Sequence, residues 1–518
     1  MRVSAATPVP GGAGRPAAPD AQAATSLALD LLRTGRPEEA RAVLDAVDET
    51  SLDERAVAPV LLARLATLNF GLGRTEAADR AFAAARRRLR DPALTGALVA
   101  QQAYHLAMRG ECRRALAVLG AAPRPRPAGT ADPMAVAARA TALTQLGRCG
   151  QAAALCDAAL DAGADLSAEA RSALRLARHT AGLLSGDTAW TRERIPAAAA
   201  ARGEPRGADL ALLGLCLAQA ERVGGALTRA AGLARDAAAH AAGTCLRAVA
   251  AGEIAHLAAL RGDLAEAERA LATARRAASP AIRLAGFWAE LAEPWVAALR
   301  DGRPAGAAAA LALAGRARAA GAHGFELLAL HDVVRLAPPR SAACRRAAAR
   351  LADLAVAFEG ELAEAAAAHA GAAAGGDAAA LSAASAELER IGMPLHAAEA
   401  AAQAAEVLVA TGRPIQARAA HARAWFLSAR CDGARTPALA GVQAPRLTNR
   451  EAQVAGLAAG GLPSKRIAAM LTMSVRTVDN HLRAVYTKLG ITGRAELAKV
   501  GLRPPSGARG SAEAPTRR

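Results

Sequence analysis

The sequence predicts an all-α protein: a long tandem array of helical hairpins, followed by a separate unit of four short helices. Three observations predict it. Alanine dominates, aromatic residues make up only 2 % of the chain and β-branched runs are few, so helix is favoured almost everywhere. Helical stretches break at nearly constant intervals along most of the chain. Residues 446–501 then carry start and stop signals for four helices packed into a short span. At 518 residues the chain is also too long for one compact core, which independently calls for several domains or a repeat array.

Residues 1–22, rich in Pro, Gly and Ala, read as disordered. Residues 23–433 form the array. Breaks fall at Gly35, Gly73, Gly110, Gly147, Gly186, Gly224, Gly262, Gly302, Pro339, Gly376 and Gly412, with gaps of 36 to 40 residues. Gaps this uniform imply stacked helical hairpins. Several units also share an internal pattern. Five residues after the glycine stands a small residue, and four later a larger apolar one: Ala40 and Leu44, Ala78 and Phe82, Ala115 and Leu119, Ala267 and Leu271, Ala307 and Leu311. The small residue lets two helices approach; the larger one, on the same face, fills the groove between neighbours. Such arrays offer a concave surface to a ligand, peptide or protein partner; a spacer or dimerisation scaffold is the competing reading. The adjacent Trp425 and Phe426 read as core of the last hairpin. A helix ending at Cys431-Asp432-Gly433 and a segment with two prolines mark a linker over 434–445.

In the terminal unit, Thr448 and Glu451 form a capping box that opens a helix through about Ala459, stopped by Gly460-Gly461. Pro463-Ser464 starts a second helix with Ile467, Ala468 and Leu471 on its apolar side. After Thr472-Met473-Ser474, Ser474 caps a third helix over 475–489, with Val478, Leu482, Val485 and Leu489 on one face. Gly490 ends it, and Thr492 caps a last helix through about Val500. Helix, tight turn, helix is the arrangement in which the second helix lies in the DNA major groove. Arg476, Thr477, Asp479, Asn480 and Arg483 stand off the apolar stripe, clustered toward the end that approaches bases and phosphates. Residues 502–518 read as a disordered basic tail.

Charge agrees with a polyanionic partner. The chain holds 64 basic and 47 acidic residues, a net +17. Thirteen basic against four acidic residues lie between Arg446 and Arg518, as do the three lysines, Lys465, Lys488 and Lys499. The seven cysteines are odd in number and scattered, without a C-x-x-C pair, which points to buried reduced thiols rather than disulfides or zinc. No Gly-Lys-Ser/Thr occurs and no lysine precedes Lys465, which excludes a Walker loop of the usual kind. The ten histidines include no H-E-x-x-H, His323 and His331 lack ligand spacing, and His179 and His256 read as helix-face residues. Acidic residues fall mainly in hairpin turns and on polar faces, with no catalytic pair. The expectation is no enzyme, no cofactor, no metal and no membrane span. The N-terminus lacks the apolar core of a signal peptide, which makes the expected location the cytoplasm.

Specific residues carry a family resemblance. Leu447-Thr448-Asn449-Arg450-Glu451, Gly461 to Leu471, Ser474 to Leu482 and Lys488-Leu489-Gly490 resemble the LuxR-type helix-turn-helix of bacterial transcription regulators. The resemblance implies a DNA-binding domain on double-stranded promoter DNA. Asp479, Asn480 and Arg483 would sit at base-reading positions, and Lys465, Arg466, Ser474, Arg476, Thr477 and Lys488 at phosphate contacts. It also implies a homodimer on an inverted repeat, paired through the last helix, with RNA polymerase as a further partner and the nucleoid as the place of action. Many relatives carry a basic residue where this chain has Asp479, and an acidic one where it has Arg466. Asp479 therefore either accepts from a cytosine amino group or orients Arg476 or Arg483. The repeats resemble tetratricopeptide repeats with a longer period, hence a tetratricopeptide-like α-solenoid. The junction resembles the C-terminal part of large ATP-binding LuxR-family regulators of actinobacteria, whose ATPase this sequence lacks. The alternative is an interaction scaffold with a weak or vestigial DNA-binding domain.

Overall fold

The structure, a computed structural model, describes residues 20–121, 132–162, 166–199, 207–491 and 493–497. Among these, regular structure is helical throughout. Most of residues 1–22, Thr492, the end of the last helix and the 502–518 tail lie outside the described residues. The array starts slightly earlier than its sequence suggests: Asp20 caps a helix over Ala21–Arg33 by accepting from the Gln22 amide.

Hairpins follow one another from Ala21–Arg33 with Pro37–Asp45 to Pro394–Ala410 with Pro414–Ser428. Nine of the predicted turn glycines, among them Gly35, Gly147 and Gly412, adopt the positive φ that a helix-to-helix reversal needs and that a side chain would resist. At the sixth turn the left-handed residue is Gly225, one position after the expected Gly224. At the ninth it is Arg340, after Pro339, whose ring locks φ negative. The small-then-large pattern closes the hairpins as expected: Ala40, Leu44, Ala78, Phe82 and Ala267 are buried, with Leu119 and Leu311 half-buried. Phe426 is fully buried and Trp425 half-buried.

Among the described residues the array's coil packs on itself. Gly35 abuts Gly243, Gly110 abuts Ala320, Gly147 abuts Ala357, and Gly225 abuts Cys431, each at the end of the fifth hairpin further on. The Glu359 amide donates to the Gly147 carbonyl at 2.7 Å across that seam. Inside, polar groups fill the axis. Arg335 donates to Glu399 (2.6 Å) and Asp332 (2.7 Å) and lies over the Trp295 ring at 4.3 Å. His331 contacts His369 at 3.1 Å, and His369 contacts the Gln403 carbonyl oxygen at 2.8 Å. Arg222 donates to Glu253 at 2.6 Å. The acids Glu253, Glu326, Asp332 and Glu399 are therefore buried on inner helices, not confined to turns and polar faces. Buried charges of this kind hold only when paired and hydrogen-bonded, which the arginines supply.

The segment between array and terminal unit is not a loose spacer. The Arg435 amide donates to the Leu260 carbonyl at 2.8 Å, and Thr436, Ala438 and Leu439 are buried. All seven cysteines are free, and six are buried. Burial pushes the thiols of Cys112, Cys149, Cys156, Cys216 and Cys431 up to about 12, so they are unreactive near neutrality. No helix among the described residues is long and apolar enough to cross a membrane.

Candidate nucleic-acid interface

The terminal unit is built from its caps inward. The Glu451 amide donates to the Thr448 hydroxyl (3.3 Å), while the Thr448 amide donates to the Glu451 carboxylate (2.7 Å), opening the helix Asn449–Ala459. The same carboxylate oxygen accepts from Lys488 Nζ at 2.7 Å, which ties this helix to the end of the third one. Burial pushes the Glu451 carboxyl up, but the Lys488 ammonium and the Thr448 donors outweigh it and hold it below the usual carboxylate range. The second helix, Ser464–Leu471, buries Ile467 and Ala468. Thr472 takes a left-handed conformation (φ 53°), and the Met473 amide returns to the Ala468 carbonyl at 2.9 Å, making the tight turn. Ser474 caps the third helix, Val475–Leu489, by accepting from the Thr477 amide at 3.0 Å. Val478, Leu482, Val485 and Leu489 are buried beneath it.

The polar residues of that helix form one exposed face. Arg476, Asp479, Asn480 and Arg483 are all exposed, and Lys465 and Arg466 stand exposed at the start of the second helix. Lys465, Arg466 and Arg476 make no ion pair among the described residues, so their charge is available to an incoming anion. Arg483 rests on the Asn480 carbonyl oxygen at 3.2 Å, and Asp479 pairs with neither Arg476 nor Arg483. Ser474 and Thr477 share a hydroxyl contact of 2.7 Å. Lys488 is the phosphate candidate already engaged, through Glu451. Two residues went unnoticed in the sequence: Val475 and Met470, apolar yet 43 % and 52 % exposed beside the polar face. Their signal was position, since each lies just off the stripe that a helical period buries.

The far end of the third helix is seated on the array. Gly490 ends it at φ 66°, and a β-carbon there would lie 2.7 Å from the Arg423 amide, so a side chain would be excluded by backbone. Arg423 also pairs with Glu389 and reaches Glu496 of the last helix at 3.4 Å. In the N-terminal half of the third helix, Arg476, Asp479 and Asn480 stay exposed.

Comparison with known proteins agrees with this geometry. Residues 445–500 match the family of bacterial regulatory proteins, luxR family (GerE), so this segment is a LuxR-family helix-turn-helix domain. A protein of Aeromonas salmonicida, provisionally named an HTH-type transcriptional regulator in the exeN 3′ region, is 48 % identical over 60 residues. That alignment covers 12 % of this chain and 31 % of the relative. Among solved structures, the APC/C hetero-tetramer Cut9–Hcn1 overlaps 77 % of this chain and 83 % of its own, at 14 % identity and a TM-score of 0.34. The pentatricopeptide repeat protein PPR10 from maize overlaps 90 % and 71 %, at 16 % identity and a TM-score of 0.24. At those scores neither bears on the argument.

Proposed function

We propose that this chain, with its LuxR-family helix-turn-helix domain, is a transcription regulator that lays the helix Val475–Leu489 in the major groove of double-stranded DNA, with the helical array as its ligand- or partner-responsive module. The observation that carries the reading is the exposed face of Arg476, Asp479, Asn480 and Arg483 on a helix fixed by its buried stripe. Base reading falls to Arg483, which favours guanine, to Asn480, which pairs with adenine, and to Asp479, which accepts from cytosine. Asp479 has no arginine partner of its own, which favours the cytosine role over an orienting one. Val475, exposed at the start of the helix, suits the methyl group of thymine.

Phosphate contact falls to Lys465, Arg466, Ser474, Arg476, Thr477 and Lys488. An ammonium has three donors, so Lys488 can hold Glu451 with one and reach a phosphate with another. The last helix pairs two such domains, which makes the operator an inverted repeat with half-sites about one helical turn (~10 bp) apart. RNA polymerase and a protein or peptide on the array are further partners in this reading, and the site of action is the nucleoid. The test is selection from a randomised DNA pool by the full chain, followed by a mobility shift. Enrichment of an inverted repeat is expected. Failure to shift any DNA at low salt refutes the reading and leaves the array as an interaction scaffold.

A further inference from the structure

The helices Ala21–Arg33, Pro92–Met108, Ala168–Ser185 and Ala208–Val223, together with Trp288 and Phe325, line a cavity of 670 Å³, within the range that holds a small organic ligand. Its walls are mostly apolar and aromatic. Trp288 and Phe325 meet edge to face at 5.0 Å on one side, with Tyr104 on another. Its polar groups are unbalanced in a telling way. Glu169 and Asp209 both line it, each in the first turn of an inner helix, Ala168–Ser185 and Ala208–Val223. Glu169 is exposed and Asp209 half-buried. The contact of Glu169 with Gln101 is long, at 3.3 Å, and Asp209 is held by the Ser172 hydroxyl at 2.7 Å. Gln145, 1 % exposed, also lines the cavity, and its carbonyl oxygen has no hydrogen-bond partner. The basic residue of the lining, Arg33, is paired with Asp30.

Among the lining residues two carboxylates and a buried, unpartnered acceptor stand against a single basic side chain, Arg33, itself paired, while Arg175, near Asp209, lies outside the lining. We propose that this cavity binds an organic cation, an ammonium or guanidinium group on a bulky apolar body, with the cation held by Glu169 and Asp209 and the body against Trp288 and Phe325. The assignment deepens the ligand-responsive role given to the array and rests on it only for the link to DNA. Aromatic faces add attraction for a cation, and the apolar body replaces water on the remaining wall. The protein around Glu169 raises its carboxyl, Gln101 lowers it in part and the Asp209 charge raises it further; a bound cation acts against that rise. Cation binding then releases a proton from whatever fraction of Glu169 is neutral, and affinity falls as pH drops.

The test uses three probes of one shape on the full chain by calorimetry: 4-phenylbutylamine, 4-phenylbutan-1-ol and 4-phenylbutanoate. The amine should bind at least tenfold tighter than the alcohol, and the carboxylate weakest. Glu169→Gln, of the same shape, should lose about tenfold for the amine while its alcohol affinity stays at the wild-type value, which also reports an intact cavity. Asp209→Asn should act alike and serves where Glu169→Gln fails to bind the alcohol. Equal binding of amine and alcohol, preference for the carboxylate, or no binding of any probe overturns the proposal. A mobility shift with and without amine separates the two readings. If the amine binds and the shift is unchanged, the cavity assignment stands and its coupling to DNA falls. If the protein shifts DNA but no amine binds, the cavity assignment alone falls.

Discussion

His179 lies wholly inside the array, its ring nitrogens each 2.9 Å from a partner, the Thr191 hydroxyl and the Gln219 carbonyl oxygen. Burial holds its pKa down to about 4, with the Gln219 contact opposing and the charges of Arg222 and Arg178 adding to the fall. The unfolded chain releases it to about 6.5. Because the folded value is the lower one, the unfolded state takes up the proton first as pH falls. The stability contributed by neutral His179 is therefore intact above about 6.5 and is lost on the way down to about 4. Between about pH 7 and about pH 5 the loss is ~2 kcal/mol from this residue. His369, also held at about 4, and His105, at about 3, act in the same direction. Together the three cost the array ~6 kcal/mol, comparable to the whole stability of an ordinary domain, about 5–15 kcal/mol. Asp332, whose carboxyl is raised by burial, acts in the opposite direction. The measurement is urea unfolding followed by helical circular dichroism at about pH 7 and about pH 5, for wild type and His179→Gln. The wild-type unfolding free energy should drop steeply, and the drop in the variant should be smaller by ~2 kcal/mol. An equal drop in both proteins would show that His179 titrates normally in the folded state and that the inner helices are wet.

Four further outcomes follow from the terminal unit. Replacing Lys465 and Arg466 together by Ala should weaken binding to every DNA sequence alike and flatten the salt dependence by about one to two units of slope; an effect on one sequence only would make these residues base readers. Asp479→Ala should cost about 1–3 kcal/mol at a single base position and relax preference there, measured by pool selection, whereas a loss at the guanine read by Arg483 would assign it an orienting role. Thr448→Ala should destabilise the unit by ~1 kcal/mol in thermal melts. Since the folded Glu451 carboxyl sits below its usual range, the stability it supplies is present at neutral pH and lost as pH falls through that lowered value; Glu451→Gln should remove this acid limb, and an unchanged limb would refute it.

The parts legible in the sequence are those written in local chemistry. A turn glycine, a capping box or a four-residue apolar period acts within a few residues of itself, which is why Gly147, Thr448 with Glu451, and Val478 with Leu482 could be read directly. Small errors came from the same locality: Gly224 and Gly225 are adjacent, and either could have been the left-handed one. The filled interior was not legible. Arg335, His369 and Gln403 look like the solvated side of amphipathic helices, and only contacts such as Arg335 with Glu399, carried by helices far apart in the chain, reveal that this side faces inward. At the interface the face was legible but its internal pairing was not, since rotamers decide that Asn480 rather than Asp479 supports Arg483.

The seam where Gly35 meets Gly243 and Gly147 meets Ala357 bears on how the chain is made as well as how it stands. A solenoid with neighbour contacts alone can finish each repeat as it leaves the ribosome. Here the outer edge of an early hairpin waits for residues five hairpins downstream. At about 5–20 residues synthesised per second, that delay is on the order of 10–40 s. During it, half-built coils expose the inner faces of their helices, and the seam glycines are the contacts by which late-arriving chain finally covers them. Substitutions there should therefore depress the yield of protein from living cells more than they lower the melting temperature of what survives.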